Sequence, residues 1–499
     1  MKRIGFAGSD ARTFLSALTV SRSGEKGEFQ GVVIRGMPAM KPYAELAGWP
    51  VDFLEVPGGS SVQDYAARVL RALSDDEIDY VVPMPEALQI DGFVDRMTEA
   101  GFGDRVAGLT AAASFIEGDK VTCKQLCASA RVPVAPDWVA IEARHYQPFL
   151  RACLRYLEQH GGAYAKYPFQ AAGKGARFIG SPWEIREVYE TLMADYAESY
   201  RKLLGPGLPW PLLMESYMAG IEVSFTALVD VHGNFQILPT AMDYQGRFAG
   251  QISRNNPVTG GMASLGPHPV HSQELLEMAV KQVFRPLIEE MRRRGILRPC
   301  ILYPGCMVFF NEFGKPASIR VCEINIRPPE PEFQVMLRLV RNFGQLIMAM
   351  FEGHLDEVKP DVRDDQIAMT IALVTGPGPG GEYKGYPWRH KPGEPMMLDL
   401  KGLKKNNVTL LPAGMGYKDG TFISDGTRVA YLIGNATVKP GENRGQVADA
   451  LRDKLYRMFA DGKVRTIPCG TGEDPQGNRL TVRDDVGIHF GIAERLFAI

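Results

Sequence analysis

Up to about residue 108 the chain alternates short apolar runs with longer stretches whose apolar residues recur at helical spacing. Residues 3–7, 32–35, 51–56 and 80–83 read as strands. Strand and helix in regular succession predict a parallel sheet with helices on both faces. Gly5, Gly8 and Ser9 follow the first strand and form a turn that could place a phosphate at a helix N-terminus, although such turns are common in any fold of this kind. Pro85 and Glu86 sit just past the fourth strand, where this architecture places ligands; helix capping is the alternative for Glu86.

The pattern changes at Gly118. GDKVTCKQLCASARVPV predicts a helix that carries Lys120 and Lys124 and ends before Pro133. AYAKYPFQAAGKGARFIG then predicts two strands around a glycine-rich turn. Lys166 alternates with apolar residues and points to one strand face. Gly173, Lys174 and Gly175 make a turn able to close over phosphates and meet them with a cation. It is not a P-loop, because no Ser or Thr follows the lysine and a strand follows instead of a helix.

Beyond it, PLLMESYMAGIEVSFTALVDVHGNFQIL reads as a strand, a connector and a hairpin turned at His232-Gly233-Asn234. Glu215 and Glu222 flank the connector, each with the simpler reading of a strand-edge charge. The following loop holds Asp243, Thr259, Gly260 and Gly261, and a Thr-Gly-Gly turn can present several N–H groups to an anion. A surface excursion is the plainer alternative. Residues 272–294 predict one amphipathic helix, and 305–310 a strand pairing with the one that follows NEFGKP.

That strand reads VCEINIRPPEPEFQ. Glu323 and Asn325 are two apart, so both face one side, and a carboxylate beside an amide oxygen is a half-site for a hard cation such as Mg²⁺. Arg327 comes next on that side before prolines end the strand. A cation pair with an arginine beside it suits phosphoryl transfer, though polar pairs in strands are often structural.

At 499 residues, with 45% hydrophobic and 23% charged positions, three or four packed units of an ordinary globular protein are expected. A formal charge of -2 argues against nucleic-acid or membrane-surface binding. The seven scattered cysteines read as reduced core thiols of a cytoplasmic protein. MKRIGFAGSD reads as a first strand, not a signal peptide, and no apolar run approaches membrane length. Past residue 360 the glycine- and proline-rich TGPGPGGEYKGYPWRH precedes strands at 408–411 and 429–433 and a helix at 445–459, a small α+β unit.

The lysine strand, the AAGKG turn, the MESYMAGIE connector and the EINIR strand, in this order, resemble the ATP-grasp superfamily, and within it the glycinamide ribonucleotide synthetase (phosphoribosylamine–glycine ligase) family. The likeness runs from MPEAL through NPVTGGM to DGTRVAYLIGNA and RDDVGIHF. It implies an α/β ATP-grasp fold: an N-terminal parallel-sheet domain (1–115), a lid subdomain (116–215), a core subdomain with the Mg/ATP site (216–358) and a C-terminal α+β domain (359–499). It also implies that Lys120 and Lys166 contact ATP phosphates, with the 172–175 turn as lid loop. Glu215, Tyr217 and Met218 would hold adenine largely by backbone, Glu222 the ribose hydroxyls, and Glu323 and Asn325 Mg²⁺ (or Mn²⁺). Arg327, with Lys166 and Lys174, would be catalytic, and Asp243, Thr259, Gly260, Gly261 and Arg327 would face the substrate.

The departures lie on the acceptor side. The family's first glycine-rich turn with Arg-Glu-His is GSDARTF here; its Arg-Phe-Gly-Asp-Pro-Glu is Arg327-Pro328-Pro329-Glu330-Pro331-Glu332; its Asp-His-Lys-Arg is Asp243-Tyr244-Gln245-Gly246. The expectation is therefore an ADP-forming carboxylate–amine ligase, monomeric or homodimeric, acting on small molecules through an acyl phosphate in a specialised pathway. Phosphoribosylamine–glycine ligase itself, a non-catalytic nucleotide-binding regulator and carboxyphosphate chemistry with bicarbonate are the alternatives.

Overall fold

A computed structural model describes residues 1–57, 59–169, 176–199, 210–250, 256–377, 384–388, 393–426, 428–467 and 480–487. Strands β1 (Lys2–Gly8), β2 (Phe29–Arg35), β3 (Asp52–Leu54) and β4 (Tyr80–Pro83) form a wholly parallel sheet in the order β3-β2-β1-β4. β3 is shorter than the apolar run suggests, because Pro50 and Pro57 remove ladder donors on either side. After β1, Asp10 caps the helix Ala11–Ser21 by accepting from the Thr13 N–H at 3.0 Å. This helix lies so close to β2 that a Cβ on Gly31 would sit 2.0 Å from the Ala17 carbonyl oxygen.

The lid is an antiparallel sheet of β5 (Trp138–Glu142), β6 (Ala163–Lys166), β7 (Ala176–Ile179) and β8 (Pro211–Ser216), ordered β5-β8-β6-β7. Helix Tyr146–His160 packs Phe149, Cys153 and Tyr156 onto it as a separate small core.

Next come β9 (Ile221–Ser224), β10 (Ala227–Val229) and β11 (Phe235–Ile237), with the expected hairpin carrying Gly233 at φ +77°. β12 (Met242–Asp243) and β13 (Ala263–Gly266) precede the long hairpin of β14 (Cys300–Phe310) and β15 (Pro316–Asn325). The single helix expected over 272–294 is instead Gln273–Ala279, a π-helical turn Val280–Phe284, and Arg285–Arg293. Pro286 has no N–H and its ring crowds the preceding turn, so the regular ladder cannot run through.

The C-terminal part holds β16 (Gln366–Thr375), β17 (Glu394–Leu398), β18 (Val408–Pro412), β19 (Met415–Lys418), β20 (Thr421–Ser424), β21 (Arg428–Thr437), β22 (Val464–Thr466) and β23 (Leu480–Thr481). Its main sheet runs β12-β13-β16-β21-β18, with β23 on β16. β12 and β13, from the region before 358, thus extend this sheet, since all four β13 residues are buried and pair with β16. The division at 115 lies within helix Ala111–Gly118, and that at 215 within β8. One apolar core joins the first helix, the helices Glu332–Leu339 and Phe343–Glu352, and the C-terminal sheet. The loops that follow β12 and β15 are therefore pinned between two units.

Candidate active site

The centre of the site is a row across β9, β14 and β15. Gly305 stands opposite both Ser224 and Glu323, Met307 opposite Glu222, and Tyr303 opposite Asn325. Strand alternation puts Glu222, Ser224, Tyr303, Glu323 and Asn325 on one face. The Asn325 amide nitrogen donates to the Tyr303 carbonyl at 3.2 Å and lies 3.5 Å from Glu323 Oε1.

Lys120 opens the helix Lys120–Ser129, whose cap is Asp119, and its Nζ lies 3.0 Å from Glu323 Oε2. That ammonium outweighs burial and holds the Glu323 carboxyl at about 2. One turn on, Lys124 is fully buried, 2.6 Å from Glu215 Oε1, and donates to the carbonyls of Val321 (3.1 Å) and Cys322 (2.9 Å). Lys166, ending β6, lies 2.5 Å from Glu215 Oε2. Burial works to raise the Glu215 carboxyl, but Lys124 and Lys166 prevail and hold it at about 2. Glu215 is thus no strand-edge charge: its side chain clasps two lysines from two elements, and only its backbone is left for an adenine contact. Lys124 is a strut between this helix and β15.

The Tyr217 N–H donates to Gly162 (3.0 Å), while its ring, 36% exposed, meets Phe178 at 5.3 Å; Met218 is buried. Glu222 Oε1 accepts from Gln245 at 3.3 Å, and desolvation of the carboxyl, then Glu323 and Glu332, push it up to about 7. The predicted Gly173, Lys174 and Gly175 lie outside the described residues.

Arg327 is gripped by two carboxylates, Glu86 Oε2 and Glu117 Oε1, each 2.9 Å from its Nε. Glu86, for which capping was the alternative reading, instead pairs with this guanidinium. Glu117 also accepts from the Ile326 N–H at 2.8 Å, so it locks the end of β15.

Beyond Arg327 a cavity of about 230 Å³ opens, lined by Asp10, Arg12, Asp243, Glu330, Glu332 and Arg428 among others. Glu332 accepts from Tyr303 (3.0 Å) and Ser224 (3.1 Å). Among the described residues, Asp243 Oδ1 and Glu330 Oε2 are buried without a hydrogen-bond partner. Burial first, and then Asp10, pushes Glu330 up to about 7; burial, then Glu332 and Glu222, push Asp243 well above the usual carboxylate range. A cationic or hydrogen-donating ligand would relieve this acid-rich wall.

Two N–H groups of the Thr-Gly-Gly turn, those of Thr259 and Gly261, are bonded within the loop. The N–H of Thr259 donates to Gln245 O at 2.9 Å, that of Gly261 to Thr259 Oγ1 at 3.2 Å, and that of Met262 to Tyr244 O at 2.8 Å. The loop also supplies carbonyls: Arg428, from β21, donates to Gly260 O and to Gly261 O at 3.4 Å. Arg12 likewise donates to the Pro328 carbonyl and pairs with Asp10 at 2.8 Å. Sequence reading missed Glu117, Arg12 and Arg428, which reach the site from positions 117, 12 and 428 with no local motif.

Among the described residues no group of three acidic, His or Cys side chains forms a full metal cage. Glu323 and Asn325 nevertheless fit Mg²⁺: the donors are hard oxygens, the carboxylate is ionised, and a cation, Lys120, already sits on it. Mg²⁺ commonly takes one or two protein ligands and completes its shell from phosphates and water.

Residues 118–333 match the family model of the phosphoribosylglycinamide synthetase ATP-grasp (A) domain. A phosphoribosylamine–glycine ligase of Brucella melitensis is 29% identical over 423 residues, covering 84% of this chain and 87% of that one. That of Rhodopirellula baltica is 28% identical over 362 residues, 72% of this chain and 77% of the relative. The chain is an ATP-grasp ligase related to phosphoribosylamine–glycine ligase. Among solved structures, the Thermotoga maritima phosphoribosylamine–glycine ligase matches with TM-score 0.69 at 20% identity, covering 97% of this chain and 99% of that one. The biotin carboxylase domain of Hydrogenobacter thermophilus 2-oxoglutarate carboxylase matches at TM-score 0.62 and 14% identity, covering 100% and 94%. Both share the ATP-grasp fold, and ligases of this kind use ATP and Mg²⁺. Among the described residues no helix is long and apolar enough to cross a membrane.

Proposed function

We propose that the protein joins a carboxylate to an amine with conversion of ATP to ADP and phosphate, and that glycine and phosphoribosylamine are the pair it joins. The observation that carries the reading is the Lys120–Glu323 and Lys166–Glu215 array facing Arg327, next to an acid-rich cavity. In this reading a carboxylate oxygen attacks the γ-phosphorus, the bond to ADP breaks, and an acyl phosphate forms. The amine then attacks the acyl carbon, loses a proton and expels phosphate. Such chemistry is carried mainly by positioned charge.

Lys120 and Lys166 would hold phosphate oxygens, and Glu222 the ribose hydroxyls. Arg327, oriented by Glu86 and Glu117, would face the phosphoryl group in transfer. Glu323 and Asn325 would hold Mg²⁺, which neutralises phosphate charge when bound. Asp243, Glu330 and Glu332 would receive the amine, and Arg12 and Arg428 an anionic group of the same substrate set. Gly173, Lys174 and Gly175 are proposed as the cover over the phosphates.

The relatives' names back glycine and phosphoribosylamine at least as well as the specialised-pathway expectation, whose support is the rewritten Asp10–Arg12 and Glu330–Glu332 segments. ADP release and amide product would be measured with glycine plus phosphoribosylamine, then with other amino acids paired with other amines. The fastest turnover with the first pair supports the proposal; turnover only with another pair supports the second reading and names its substrates. Lys166→Ala should cut turnover by about a hundredfold or more with the fold retained; a near-normal rate would remove Lys166 from this role.

A further inference from the structure

A second cleft, of about 430 Å³, shares no lining residue with the first and lies between the N-terminal and C-terminal units. Its N-terminal wall is Arg22 and the segment after helix Met40–Ala47; its C-terminal wall is the helix Leu400–Lys405 and β18. Arg338, from helix Glu332–Leu339, forms part of its lining. Among the described residues four cations line it, Arg22, Arg338, Lys401 and Lys404, and no carboxylate does.

Arg338 is the telling member. Among the described residues it forms no ion pair, and its one side-chain hydrogen bond goes to a neutral partner, Asn435 Oδ1, at 2.8 Å. Burial, then Arg22 and Arg363, bring its guanidinium down to about 10. Among the described residues Arg22 pairs with no carboxylate either, and it lies over the Trp49 ring at 5.6 Å. A partly buried guanidinium repelled by other cations is costly, and an anion is the simplest group to offset it. Two forked guanidiniums and two ammoniums suit a phosphate, whose oxygens accept several charge-assisted bonds.

We propose that this cleft is an anion site, separate from the catalytic centre, that takes a phosphate group, free or carried on a small organic molecule. Trp49, which also lines the cleft, gives an organic phosphate apolar surface to rest on. The helix that carries Arg338 begins at Glu332 in the acceptor cavity, so occupancy would bear on an element of the active site.

The test is calorimetric titration of inorganic phosphate and, separately, ribose 5-phosphate into the full chain. The nucleotide site is first saturated with Mg²⁺ and a non-hydrolysable ATP analogue. Wild type should bind, and Arg338→Gln, which keeps a hydrogen-bonding group near Asn435, should weaken binding about tenfold or more. The double variant Lys401→Gln/Lys404→Gln, on an exposed helix face, should weaken it similarly and serves if Arg338→Gln fails to fold. Arg428→Gln, which alters only the acceptor cavity, should leave unchanged the component of binding that the lysine variant weakens, and the two probes are compared in that background. Tighter binding of ribose 5-phosphate than of phosphate assigns an organic ligand, and equal binding assigns free phosphate. Absence of binding at millimolar probe overturns the proposal, as does binding lost in Arg428→Gln but kept in the lysine variant.

Discussion

Lys166 Nζ lies 2.5 Å from Glu215 Oε2, and because Lys124 holds the other oxygen at 2.6 Å, one buried carboxylate positions two ammoniums. Lys166 can therefore keep its place at the end of a lid strand before any nucleotide arrives. The arrangement also ties the lid to the helix that carries Lys120.

Glu215→Gln should destabilise the protein by roughly 3 kcal/mol at neutral pH, because two buried lysines lose their counter-charge. The sign follows from the carboxyl's depressed value of about 2. Its contribution is present above the ordinary value of an unfolded glutamate and is lost as pH falls towards the folded value. Urea unfolding of wild type and variant between pH 7 and about pH 3 should show the gap closing in acid. A constant gap would contradict the ion-pair account.

Glu330 behaves oppositely. Its carboxyl is raised to about 7, so it favours the fold below the unfolded value and loses that contribution as pH rises through about 7. Glu330→Gln should match wild type near pH 4 and be more stable by up to about 3 kcal/mol at pH 8. Denaturation midpoints at the two pH values check this, and equal differences at both would refute it.

Arg327→Lys keeps the charge but not the Nε–H, fixed in a planar guanidinium, on which Glu86 and Glu117 converge. Turnover should fall about a hundredfold while the KM for ATP moves only a few-fold. A large KM change with unaltered kcat would make Arg327 a nucleotide-binding group instead.

Gly31→Ala should cost about 3 kcal/mol or more, since the new methyl meets backbone, the Ala17 carbonyl oxygen at 2.0 Å, which cannot swing away. Thermal unfolding would show it directly; an unchanged Tm would mean that the first helix can shift from β2.

The residue pattern alone determined the local elements: four parallel strands, a lysine on a strand, and Glu323 with Asn325 on one face, because period and turn chemistry are short-range. It could not show that the Thr259 and Gly261 donors are spent within their own loop, since that depends on where the Gln245 carbonyl and the Thr259 hydroxyl end up. Glu215 looked like an edge charge because its partners stand 91 and 49 positions away, at Lys124 and Lys166. Glu117 and Glu86 reach Arg327, and Arg12 and Arg428 reach the cavity beside it, only through packing of separate units. Side-chain alternation is written into the chain, whereas the burial and convergence that set charge pairing exist only once those units close on one another.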